Sequence, residues 1–216
     1  MGVSSGRLRP DVGRLIMVPA FAGVLVADVF SLEAGAHTGA AGVLRSVGTV
    51  LVLAFYALAI LCYLRRGPAV ATSGSVSAHG AAIAATWLPV ALPLLHGTPP
   101  GQGRQALADV LLVCGMAWAV WSLRHLDRSV SVLAQAREIV VQGPYRWVRH
   151  PLYAGELVSS LGLAIAVNSY PALALWVVMC ALQIYRAVRE EQVLLQALPA
   201  YRSYRNRTAA LLPGVF

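Results

Sequence analysis

The sequence predicts an all-α integral membrane protein of about six transmembrane helices, five plus one at the N-terminus, and three observations predict it. First, 58% of the 216 residues are hydrophobic and 12% charged, about half the charged share of a soluble domain, with a mean hydropathy of +0.66. Second, the apolar residues gather in six runs, roughly 14–32, 46–64, 80–96, 106–123, 152–168 and 171–188, several of them near the ~20 residues that a bilayer requires. Third, all 17 basic residues are arginine, and all but Arg45 and Arg104 fall on one side of the membrane if both termini are cytoplasmic. That bias is the positive-inside pattern. A net charge of +8 on a soluble chain would suggest a nucleic-acid partner; on this one it marks the cytoplasmic face, and no nucleic acid is expected. The chain reads as one membrane domain, 1–216. The all-arginine usage hints at a bacterial source, hence an inner membrane.

Taken in order, the first run follows arginines and precedes Ala34-Gly-Ala36, the outline of a secretory signal with a small-residue cleavage site. Asp28 sits poorly in such a signal, and later helices already target the chain, so the first helix is expected to be retained; cleavage would leave five. The segment Gly67–Gly80 is small and serine-rich and reads as a flexible cytoplasmic linker. The third run is short and carries Pro89 and Pro93, which predicts a kink. The outer loop His96–Gly103 is rich in glycine, but its glycines neither follow a strand nor open a βαβ unit, so no phosphate loop is expected. The longest soluble pieces, 124–150 and 189–216, together hold roughly fifty residues, too few for a nucleotide-binding α/β domain. The fifth and sixth runs are joined only by Asn168-Ser-Tyr-Pro171, which predicts a tight hairpin of two slightly short helices. Cys62, Cys114 and Cys180 each fall in an apolar run and read as buried free thiols. His37, His79, His96 and His125 show no metal-ligand spacing, so no metal is expected.

The chemistry-bearing residues cluster near the C-terminus. Gly143-Pro-Tyr-Arg-Trp-Val-Arg-His-Pro-Leu-Tyr153 places a turn, two arginines, a histidine and aromatic side chains between apolar runs. Pro144 biases Gly143 toward an extended conformation, and Pro151 suits the first turn of a helix. Arg149 and His150 then stand at the mouth of that helix, where a polar ligand can meet a lipid-phase one. Gly155-x-x-x-Ser159 reads as close helix packing. Arg186 and Glu190 are four apart on one helical face, either as an exposed ion pair at a helix end or, near hydrocarbon depth, as cavity-facing functional groups. Glu156 either lines a cavity or pairs with an arginine. Tyr201-Arg-Ser-Tyr204, with Arg205 and Arg207, is either an interfacial tail or a lid over a site.

Together these residues resemble the isoprenylcysteine carboxyl methyltransferase family. The resemblance rests on Gly143-Pro-Tyr145, Arg149-His-Pro-Leu-Tyr153 with Gly155, Asn168, Arg186, Glu190-Glu191, Leu194, Tyr201, Tyr204 and Pro213, about residues 130–213. It divides the domain into N-terminal transmembrane helices, 1–125, and a methyltransferase-like catalytic region, 126–216, with a cytoplasmic cofactor-binding loop and a C-terminal helical tail. Two departures stand out: Leu198 runs into Pro199 where the family has a glycine, and Arg137 stands where the family often has histidine. The resemblance implies methyl transfer from S-adenosylmethionine to a lipophilic acceptor drawn from the bilayer. The cofactor would lie against Arg137, Ile139, Val140, Tyr145, His150, Pro151, Leu152 and Tyr153, with Glu190 closing over it. Arg186 would hold and orient a carboxylate acceptor, with Arg149, Glu156 and Tyr204 also on the acceptor side and Glu191 the candidate base if the acceptor were an amine or thiol. Membrane sterol reductases share an Arg-His-Pro-x-Tyr stretch and would use NADPH instead; a non-catalytic membrane protein of the same fold is the third alternative.

Overall fold

The computed structural model describes residues 12–33, 39–133, 135–136 and 138–211. Arg137, Pro213 and the Ala34-Gly-Ala36 site lie outside the described residues. Six long helices, α1 (Val12–Glu33), α2 (Gly39–Arg65), α3 (Val76–Ala91), α4 (Gln102–Leu126), α5 (Pro151–Val167) and α6 (Tyr170–Ala197), are followed by the short α7 (Tyr201–Arg205). Five of them are long and apolar enough to cross a membrane, and α5, at 17 residues, is the shorter apolar helix. The protein is an all-α integral membrane protein.

Most boundaries follow from local chemistry. Ser75 caps α3 by accepting from the Ala78 amide, and Ser169 caps α6 by accepting from the Ala172 amide, each satisfying an amide that the first helical turn leaves open. Pro89 and Pro93 convert the end of α3 into a 3₁₀ turn, Leu92–Leu94. Asn168 closes α5 in the left-handed region (φ 53°), and its side-chain amide donates to the Thr98 hydroxyl at 2.7 Å and carbonyl at 3.2 Å. The predicted hairpin is thereby pinned to the loop at Thr98.

Three expectations change. The last helix is not short: α6 runs 28 residues, because the polar stretch after Arg186 continues the helix instead of ending it. The serine-rich linker holds a two-residue strand, β1 (Ala71–Thr72), paired antiparallel with β2 (Gln135–Ala136), and the first turn of α3. Gly143 is not extended but has φ +58°, open to glycine at no steric cost. A Cβ there would lie 2.5 Å from the His125 ring.

The core seam is the crossing of α4 on α5. A Cβ on Gly115 would lie 2.4 Å from the Ser159 nitrogen, and one on Gly162 2.5 Å from the Ala108 carbonyl oxygen. The two backbones touch, as small residues allow in membranes. Elsewhere Arg14 ties the start of α1 to the end of α2 through the Tyr63 and Arg66 carbonyls at 3.0 and 3.1 Å, and Arg45 reaches Asp109 of α4 at 3.2 Å.

Candidate functional site

Pro151 opens α5 and His150 is its N-cap residue, which fixes the direction of the loop before it. That loop is held from the C-terminal side. The amides of Arg149 and His150 donate to the Ala209 and Ala210 carbonyls at 2.8 and 3.0 Å, and the Ala209 amide returns a bond to Trp147. The Tyr204 hydroxyl donates to the Tyr145 carbonyl at 2.6 Å. Tyr201 and Tyr204 are buried, whereas Arg202, Arg205 and Arg207 of the same segment are exposed. The segment thus turns its tyrosines inward and its arginines outward.

Glu191 is the knot of this region. Its carboxylate accepts from Arg149 Nε at 2.6 Å and lies 3.2 Å from His150 Nε2, while Arg205 Nε sits 3.0 Å from its second oxygen. Arg149 also donates to the Arg205 and Thr208 carbonyls. With its lone pairs committed to three partners, Glu191 is arranged as a clamp between α6, the loop and α7. It lines neither of the two cavities below.

A polar pocket of about 50 Å³ lies against the loop, lined by Ile139, Val140, Tyr145, Arg149, His150, Glu190, Tyr201 and Tyr204, with Ser129, Gln135 and Glu138 at its edge. The structure thus gathers Ile139, Val140, Tyr145, His150 and Glu190, five of the expected cofactor residues, into one pocket. Burial is the main cause that pushes the Tyr145, Tyr201 and Tyr204 hydroxyls above the usual tyrosine range, Tyr204 to about 12. They remain neutral donors at physiological pH.

A second cavity, of about 400 Å³, lies within the helices, lined mostly by apolar side chains of α1 to α5 together with Arg186 of α6. On α5 its wall runs from Leu152 to Leu163, roughly 16 Å at 1.5 Å per residue. Its polar groups include Asp28, Tyr56, Tyr63, Thr86, Ser131, Glu156 and Arg186. Arg186 is 4% exposed. Among the described residues its guanidinium donates at 3.5 Å to the Thr86 hydroxyl and at 3.3 Å to the Ser131 carbonyl, and its Nε has no hydrogen-bond partner. Buried guanidinium donors are ordinarily satisfied, so the open Nε is an exception among the described residues. Glu156 accepts from Gln183 at 2.7 Å, and the Gln183 carbonyl oxygen has no partner.

Several expected residues fall elsewhere. Leu152 lines the apolar cavity instead of the polar pocket, Pro151 lines neither, and Arg149 and Tyr204, expected beside the acceptor, line the polar pocket. Tyr153 lies between the two: its hydroxyl donates to Glu190, its ring stacks on His150 with centroids 5.2 Å apart, and Arg186 Cζ lies 4.4 Å from its centroid. Thr86 and Gln183 also meet Arg186 and Glu156; their signal in the sequence is a polar side chain in the middle of an apolar helix. Among the described residues no His, Cys, Asp and Glu cluster could hold a metal ion.

Residues 104–200 match the phospholipid methyltransferase family, the membrane methyltransferase group to which the isoprenylcysteine carboxyl methyltransferase-like proteins belong. The match supports a membrane methyltransferase in general. The chain is 36% identical over 76 residues to the cobalt-zinc-cadmium resistance protein CzcN of Cupriavidus metallidurans, a match covering 35% of each chain. It is 34% identical over 80 residues to the nickel-cobalt-cadmium resistance protein NccN of Alcaligenes xylosoxydans xylosoxydans, covering 37% of this chain and 38% of that one. It is also 27% identical over 109 residues to the uncharacterized protein YpbQ of Bacillus subtilis, covering 50% and 65%. The matched part thus spans little more than a third of the two resistance proteins.

Proposed function

Taking as premise that residues 104–200 carry the pattern of a membrane methyltransferase family, we propose that this protein transfers a methyl group from S-adenosylmethionine to a lipophilic acceptor, most directly a carboxylate. The observation that supports this most is the buried, under-bonded Arg186 on the wall of an apolar cavity beside a polar pocket. The donor set of that pocket suits the cofactor: Glu190 would take its cationic amino group, Tyr145 and Tyr201 would offer aromatic faces, and Arg149 and His150 would offer donors. When bound, the cofactor supplies an electrophilic methyl group on a sulfonium.

The chain's own residues then position and desolvate. Arg186 would hold the acceptor carboxylate through parallel N–H bonds and so fix one oxygen toward the polar pocket. A carboxylate with a pKa near ~4 is already ionised at neutral pH, so no base is needed. The apolar wall excludes water around the charged pair, and orientation does most of the catalytic work. Glu191 holds the loop in place. The proposed setting is a bacterial inner membrane with both termini cytoplasmic.

A second reading is favoured by Glu156. This carboxylate shares the cavity with Arg186, has Gln183 as its hydrogen-bond partner and makes no ion pair among the described residues. An amine acceptor such as a phospholipid headgroup would place its nitrogen there, and Glu156 would take the proton that nitrogen must lose. Both readings share the donor side. S-adenosylhomocysteine, and not NADPH, is expected to raise the melting temperature of purified protein, since a ligand bound only by the folded state stabilises it; stabilisation by NADPH alone would favour a reductase. Lipid extracts incubated with methyl-labelled cofactor then separate the acceptors: label released by mild alkali as volatile methanol marks a methyl ester, and label that stays non-volatile after alkali marks an amine.

A further inference from the structure

Tyr153 is 5% exposed and lines neither cavity, yet it touches residues of both. Its hydroxyl donates to Glu190 and its ring stacks on His150 at an interplanar angle of 7°, and both partners line the polar pocket. The same ring carries the Arg186 guanidinium, 4.4 Å from its centroid, and Arg186 lines the apolar cavity. The polar pocket holds about 50 Å³, well below the roughly 300 Å³ at which small-molecule sites begin. A nucleoside-sized ligand therefore enters only as the pocket widens, and Glu190, on its wall, is held from behind by the Tyr153 hydroxyl. An ammonium group presented to Glu190 outcompetes the neutral hydroxyl, because a hydrogen bond with charge on both sides is stronger.

Resting on the methyltransferase reading above, we infer that Tyr153 is a positioning residue that links the two cavities. Occupation of Glu190 by the donor's ammonium group frees the Tyr153 hydroxyl, the ring turns, and Arg186, which rests on that ring, is re-aimed toward the acceptor. The donor then binds before the acceptor is gripped. Linkage is reciprocal: an anion on Arg186 changes donor affinity by the same factor as the donor changes the anion's. This differs in sign from a Tyr153 that simply holds the donor. If the hydroxyl contributed to donor binding, its removal would weaken that binding; if it competes for Glu190, its removal tightens it.

The test is calorimetric binding of S-adenosylhomocysteine to the purified protein, with and without saturating laurate as a single-chain anionic probe. It compares wild type with Tyr153→Phe, which keeps the ring, and Tyr153→Leu, which removes it. Tyr153→Phe is expected to tighten S-adenosylhomocysteine by about 3- to 10-fold, the range for removing one competing hydrogen bond. Laurate is expected to shift donor affinity by about 5-fold or more in wild type, and by much less in either variant. Weaker or unchanged donor binding in Tyr153→Phe, no laurate effect in wild type, or an equal effect in all three proteins overturns the linkage. Failure of unmodified protein to bind S-adenosylhomocysteine at all would sink the methyltransferase reading itself, and is seen before any variant is made.

Discussion

The two cavities lie on either side of Tyr153 and are built in opposite ways. The apolar one, about 400 Å³, is a space left between helix faces, lined mostly by apolar side chains, with the under-bonded Arg186 on its wall. The polar one, about 50 Å³, is held narrow by the chain's own bonds: Tyr204 to Tyr145 and the loop to the tail at Ala209 and Ala210, with Tyr153 holding Glu190 from behind. A greasy ligand needs room and gains from any dry surface, so its site can stand ready. A charged, water-soluble ligand must replace good hydrogen bonds with better ones, so its site rests in a self-satisfied form. Substitutions on the two sides are therefore expected to fail in different ways.

The largest effect is expected on the roomy side. Arg186→Ala should cut methyl transfer by about 100- to 1,000-fold, the usual range for losing a charge-orienting group, while S-adenosylhomocysteine still raises the melting temperature. Loss of that thermal shift in Arg186→Ala would dissolve the division between the cavities; Glu190→Ala is the variant expected to abolish it. Next comes the clamp. Glu191→Ala leaves Arg149 and His150 buried without their shared carboxylate and should cost about 3 kcal/mol of stability, as breaking a buried ion pair does, read by denaturation of the protein in detergent. Wild-type stability in this variant would mean that the clamp is dispensable.

Smaller effects test the scaffold and the lid. Gly115→Ala forces the crossing of α4 on α5 apart and should cost about 1–3 kcal/mol, with both cavities affected alike. Tyr204→Phe removes one buried hydrogen bond and should cost about 1 kcal/mol. The Tyr204 hydroxyl is raised from an ordinary value of 10 to about 12. Its contribution is therefore whole below pH 10 and fades as pH climbs toward 12. The difference between Tyr204→Phe and wild type should accordingly be flat from pH 6 to pH 9 on the scale of a melting-temperature series; a slope there would place the titration elsewhere.

The readable part of this molecule was written in local terms. Six apolar runs gave six helices, Pro89 and Pro93 ended α3 in a 3₁₀ turn, and Asn168 closed the hairpin. The four-residue spacing of Arg186 and Glu190 and the Arg149-His-Pro151 step mark residues that line the two cavities, Pro151 excepted. The unreadable part depends on partners far along the chain. The positive φ of Gly143 answers to the ring of His125, and the engagement of Glu191 depends on Arg149, 42 residues earlier. No spacing rule separates a catalytic carboxylate from a clamp when both neighbours are glutamates. The strand pair at Ala71–Thr72 was equally hidden, since two residues carry no periodicity.

One helix serves both compartments. Arg186 on α6 lines the apolar cavity, Gln183 holds that cavity's Glu156, and Glu190 lines the polar pocket, all on a single unbroken cylinder from Tyr170 to Ala197. Such a cylinder behaves as a camshaft: inserting one residue upstream of Gln183 would turn every lobe below it together by about 100°. Both chambers would go out of phase at once, whereas the same insertion in the linker before α3 would leave their timing intact.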